Sequence, residues 1–86
     1  MKHKYIVFKD GNLEDIITFS ELMDHSQAAR ALDRDRIISA GFIDIAVNEQ
    51  GKLDVACFGK STTLDLASRG DLDKRVAMSR LYGESY

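Results

Sequence analysis

From Ile37 to Thr63 the chain alternates apolar and polar residues on either side of a short polar break, and this pattern leaves few folds open. Side chains of a β-strand point to opposite faces in turn. In the first arm Ile43, Ile45 and Val47 share one face while Asp44 and Asn48 lie on the other. In the second arm Leu53, Val55 and Cys57 are apolar and Asp54 faces away. The two apolar sets share a face only if Val47 pairs with Leu53, Ile45 with Val55 and Ile43 with Cys57. That leaves Glu49, Gln50 and Gly51 as the loop, and a three-residue hairpin loop wants a left-handed residue last, which glycine supplies without steric cost. Continuing the register sets Phe42 beside Phe58 on the second face, Gly41 beside Gly59 on the core face, and Ser39 beside Ser61.

Size and charge narrow the classes of function. A chain of 86 residues makes a single domain, residues 1–86, and buries only about 60 to 65% of the surface its unfolded form exposes. With 44% hydrophobic and 30% charged residues it has the composition of a folded soluble domain rather than a disordered one. Twelve basic residues against 14 acidic ones give a formal charge of -2, a poor match to nucleic acid, whose binding depends on cationic contacts to phosphates. The single Cys57 rules out an internal disulfide framework and points to an intracellular, cytoplasmic setting. Only Tyr5, Ile6, Val7 and Phe8 follow the basic start before Lys9-Asp10-Gly11, too short a run for a signal peptide. No segment approaches the roughly 20 apolar residues of a membrane span.

Elsewhere, Lys4 to Phe8 and Asp15 to Phe19 read as a second hairpin about Asp10-Gly11-Asn12. Loops of three or four residues both give tolerable pairs, the longer one setting Lys9 against Glu14. Ser20 to Met23 reads as a short turn of helix. Asp24 has the spacing of an N-cap with Gln27, ahead of a narrow stripe of Ala28, Ala29 and Leu32. Asp33-Arg34-Asp35-Arg36 is a charge-balanced polar linker, and Leu64 and Leu66 anchor the segment after the second hairpin. A last helix starts at Ser68 and Asp71, buries Leu72, Val76 and Leu81, and closes at Gly83. The order is ββαββα, an α+β fold with a four-stranded, mostly antiparallel sheet and helices on one face.

Several residues invite chemistry. Gly59-Lys60-Ser61-Thr62 has the ending of a phosphate loop, but the required earlier glycine falls at Asp54 and a strand precedes Gly59, which excludes the nucleotide-hydrolysing version. A looser anion site stays open. The Gly41–Gly59 pair marks either a bend or a close approach of backbone or ligand, with Ala28 and Ala29 of the helix as the packing that would fill it. Arg69 at a helix start reads as an anion contact or as a solvated arginine among Asp71 and Asp73. His3 and His25 stand at no metal-ligand spacing with Cys57, and His25 beside a helix start reads as a capping or packing residue. Pairing of Cys57 with His25 as a nucleophile is disfavoured, because strand burial raises the thiol pKa. Phe42 and Phe58 form an aromatic pair on the face left open if both helices cover the other one, a candidate contact for a partner or a second copy.

Ser39-Ala40-Gly41-Phe42, Phe58-Gly59-Lys60-Ser61, Leu64 and Ser68-Arg69 together resemble a group of small proteins from bacteriophage and prophage genomes. In that group a "SAGF" strand precedes a "GxSxSL" segment and an "SR" helix start. The likeness extends over about half the chain, with Thr63 standing where the group has serine. No biochemical activity comes with the group; the resemblance implies a phage-linked intracellular accessory protein. The leading expectation is a non-enzymatic binding module without cofactor or metal, holding a small anionic, phosphate-bearing or nucleotide-like ligand through Ser39, Gly41, Gly59, Lys60, Ser61, Thr62 and Arg69. The competing one is a protein-protein module, dimeric or directed at a host protein, acting through Phe42 and Phe58. An enzyme is the least supported class, since no base has a positioned partner.

Overall fold

The computed structural model describes residues 2–82. Lys2–Asp10 (β1) and Leu13–Phe19 (β2) form an antiparallel hairpin that turns on Gly11-Asn12. Lys9 stands opposite Glu14, the register of the longer of the two expected loops, and the ladder closes one pair further, at Asp10 and Leu13. Ile37–Val47 (β3) and Leu53–Phe58 (β4) pair as the alternation requires: Val47 with Leu53, Ile45 with Val55, Ile43 with Cys57, and Phe42 with Phe58. Gly51 takes a φ of 77°, and Asn48 braces the loop by accepting from the N–H groups of Gln50 and Lys52 at 2.9 and 3.0 Å. The sheet order is β2-β1-β3-β4, all neighbours antiparallel.

The expected register fails one pair past Phe58. Gly59 has a φ of 76°, a left-handed conformation that turns the chain out of the sheet, so the ladder ends before Gly41 and Gly59 can pair. Lys60–Ser61 (β5) instead joins Leu66–Ala67 (β6) in a separate two-stranded ribbon, and Ser61 pairs with Leu66 rather than lying beside Ser39. Between β2 and β3 the helical segment is shorter than the capping pattern suggests. His25–Ala28 (α1) gives way to 3-10 turns at Ala29–Ala31 and Arg34–Arg36. Asp24 does start it, its N–H donating to Gln27 Oε1 at 3.0 Å. Asp71–Tyr82 (α2) follows the ribbon. The expected closing glycine, Gly83, lies outside the described residues. Among the described residues, six strands and two short helices thus replace the expected ββαββα order.

The helices also lie on opposite faces of the sheet, not on one. Tyr5, Val7, Ile16, Ile43 and Val55 pack with Ala77 and Met78 of α2. Ile6 and Ala40, whose side chains alternate to the other face, pack with Ala29, Ile37 and Leu64, joined by Ala28, Leu32 and Leu66. Leu64 and Leu66 are anchors as expected. The polar linker is fixed to its surroundings, with Arg34 donating to Leu64 O at 3.0 Å and Arg36 Nε to Lys9 O at 2.8 Å. In α2 Val76 packs against the core as expected, but Leu72 is 55% and Leu81 45% exposed, whereas Asp73, Ala77 and Met78 are buried. The inward position of the first turn is held by a carboxylate, so hydrophobicity alone points to the wrong face.

Candidate functional site

On the face covered by α1, cross-strand pairing lines up Phe19, Lys4, Phe42 and Phe58 from the four strands in one row. His25 is wedged over this row, its ring edge-on to Phe19 at 5.4 Å and to Phe42 at 6.0 Å between centroids. His25 Nε2 lies 2.9 Å from the Gly41 carbonyl oxygen. A carbonyl only accepts, so Nε2 carries the proton and the neutral ring keeps Nδ1 as its acceptor. Burial lowers the His25 pKa and the Lys4 ammonium adds to this, against the opposing pull of the Gly41 carbonyl.

Beside His25, the bend at Gly59 carries Lys60 back toward Phe42, so close that a side chain at Gly59 would meet the Phe42 ring at 3.0 Å. Lys4, Asp24, His25, Phe42, Lys60, Thr62 and Thr63 together line a recess of about 200 Å³. Lys4 Nζ spends one proton on Met23 O at 2.9 Å, which aims it and leaves two donors. Two ammonium groups face one carboxylate, Asp24, so with His25 neutral the recess is formally cationic by one charge. Thr62 adds a hydroxyl to a donor set suited to an oxyanion, while the Thr63 hydroxyl lies 3.4 Å from Ser61 Oγ.

The expected site residues divide between this recess and the opposite face. Lys60 and Thr62 line the recess, and Gly59 makes the bend that positions them. Ser61 is buried and serves the ribbon turn, its Oγ accepting from Leu64 N–H at 3.2 Å. The space at Gly41 is met by neither Ala28 nor Ala29 and is not open: a Cβ there would lie 2.6 Å from the Phe58 carbonyl oxygen and 3.2 Å from Ser68 Cβ. Ser39 and Arg69 serve Asp73 on the α2 face.

Asp73 is fully buried and accepts four hydrogen bonds. Oδ2 takes the Tyr5 hydroxyl at 2.5 Å and the Arg69 N–H at 2.9 Å, and Oδ1 takes Ser39 Oγ at 2.8 Å and Arg69 Nε at 2.7 Å. Burial pushes its carboxyl pKa up, but the bonds from Tyr5, Arg69 and Ser39 together outweigh that and hold it below the ordinary value. The same arginine reaches Glu14 at 2.7 Å, so its charge is shared between two carboxylates and ties α2 to β2. Tyr5 Oη and Ser68 Oγ are 2.6 Å apart. Cys57, near this network, has its thiol pushed up to about 11 by burial and by Asp73, which leaves it a poor nucleophile.

A depression of about 320 Å³ between β2 and α2 offers Asp10, Glu14 and Asp15, but these carboxylates are paired with Arg36, Arg69 and Arg80 respectively. Among the described residues no group of three or more His, Cys, Asp or Glu is placed to hold a metal ion, and no helix is long and apolar enough to cross a membrane. Sequence reasoning missed Lys4 and His25 as recess residues and Asp73 as the centre of the buried network. The Lys4–Phe42 pairing that brings the first to the site depends on β1 lying beside β3, which local pattern does not reveal. Comparison of the chain with protein-family models, with curated proteins and with solved structures found no match.

Proposed function

We propose that this chain is a non-enzymatic, phage-linked accessory module that binds a small phosphate-bearing anion in the recess formed by Lys4, His25, Lys60, Thr62 and Thr63. The observation that carries this reading is the convergence of Lys4 and Lys60, 56 positions apart in sequence, with Thr62 in the lining of one concavity. Ammonium groups and hydroxyls supply donors, and no nucleophile with an activating base stands among them, so binding rather than turnover is what the chemistry favours. Ser39, Gly41 and Arg69 then act as scaffold: Arg69 and Ser39 hold the sheet to α2, and Gly41 holds His25 in place. The setting implied by this role is intracellular. Isothermal calorimetry with ribose phosphate on the wild type and on a Lys60→Ala, Thr62→Ala double variant tests the reading. Charge-assisted contacts of this kind make the expected loss a factor of about ten or more, with the melting temperature retained because both residues are exposed. Equal binding by the two proteins removes the recess from the account.

One observation favours a second reading. Phe58 is 42% exposed and stacks on Phe42 with centroids 6.1 Å apart, on the edge strand β4, where a protein partner or a second copy could dock. A Phe58→Ser change would then alter the mass seen by light scattering, and an unaltered monomer mass in both proteins speaks against self-association.

A further inference from the structure

Resting on the recess as a phosphate site, we infer that the ligand carries a planar aromatic ring and that Phe58 is the platform for it, which makes the ligand class a nucleoside monophosphate. The recess is about 200 Å³, below the roughly 300 to 1,000 Å³ of pockets that enclose a whole drug-sized ligand. It holds a charged head and leaves the rest of the molecule outside. His25 and Asp24 wall the recess on the α1 side, and Phe42 walls it toward β4. Along that wall the surface continues directly onto Phe58, whose ring lies within 23° of parallel to Phe42. Phe58 is 42% exposed, and the ammonium of Lys2 lies over both rings, 4.8 Å from the Phe42 centroid and 6.0 Å from that of Phe58. Lys2 is itself half-exposed and its 3.7 Å pairing with Glu21 is a solvent-exposed one, so it can yield to a flat ring. A base stacked on Phe58 gains aromatic contact without hydrogen-bond readout, so the site tolerates any base. The exposed phenylalanine and the cationic recess, which otherwise suggest two separate functions, become two ends of one site.

Calorimetry with adenosine monophosphate and with ribose phosphate, on the full chain, separates this inference from the reading it rests on. In the wild type the nucleotide is expected to bind about tenfold or more tightly than ribose phosphate. Phe58→Ser is expected to remove that advantage and leave ribose phosphate affinity unchanged, while Lys60→Ala weakens both probes. Phe58→Leu keeps the apolar bulk at the strand end and secures the test if the serine variant folds poorly. Its nucleotide affinity is also expected to fall to that of ribose phosphate. Equal affinity for the two probes in the wild type, or nucleotide binding that survives loss of the ring, overturns the platform while leaving the phosphate site intact. Failure of both probes to bind overturns the phosphate site and the platform with it.

Discussion

Asp73 accepts two donors on each carboxylate oxygen, and at least two of the four are N–H groups that cannot turn away. An asparagine there can offer an acceptor on one side only, so its amide must face donors on the other. Asp73→Asn is therefore expected to destabilise the fold by about 3 kcal/mol, the cost typical of breaking a buried charged pair from one side. Urea denaturation at neutral pH measures it; a change below about 0.5 kcal/mol would place Asp73 among ordinary surface residues. Titration gives a second check. The folded-state pKa values of His25 and Asp73 are both lowered, so the unfolded chain binds more protons than the folded one as acid is added, and stability falls as the pH falls. The His25 contribution is complete above its ordinary value of 6.5 and is lost as the pH drops through the folded value; that of Asp73 is complete above 3.8 and is lost lower still. The urea midpoint should fall between pH 7 and pH 5, and fall less in His25→Gln. Residue-level chemistry of this kind was only partly legible in the sequence: the capping spacing of Asp24 and Gln27 was visible, while an aspartate at an inward helix position looked like a solvent residue.

At the scale of elements, the β3–β4 hairpin could be read pair by pair because period-two alternation and a loop glycine gave the same register. Reading stopped at Gly59, where alternation says which face a residue would occupy but not whether the backbone continues straight. In α2 the failure had a different cause, since Leu72 fits an apolar stripe by type and spacing while the neighbouring Asp73 is the residue that is buried. The two glycines now have distinct roles with distinct costs. Gly59→Ala forces a left-handed residue and a 3.0 Å approach to an aromatic ring edge that can shift, and is expected to cost about 1 to 2 kcal/mol. Gly41→Ala places a methyl 2.6 Å from the Phe58 backbone carbonyl where the β3–β4 ladder ends, and neither strand can yield without parting β3 from the end of β4. Its melting temperature is expected to drop further than that of Gly59→Ala. The reverse order would mean that the close approach at Gly41 is not what requires glycine there.

On the scale of the whole molecule, one sheet is covered by α2 on one side and by α1 with the β5–β6 ribbon on the other, and the recess exists because those two small pieces leave a gap over β1 and β3. The fold class and the central hairpin followed from pattern. The assignment of layers did not, because a helix as short as α1 and a two-residue ribbon carry almost no periodic signal. The same blindness mixes the site: pattern marks Lys60 and Thr62 as polar residues after a glycine but groups them with Ser39 and Arg69, which the sheet separates from them. The most direct test of the recess is a two-dimensional amide NMR titration with ribose phosphate. Shifts concentrated at Lys4, His25, Lys60, Thr62 and Thr63, with Ser39, Arg69 and Asp73 unmoved, are the expected result; shifts centred on Arg69 and Ser39, or none up to millimolar ligand, would contradict it.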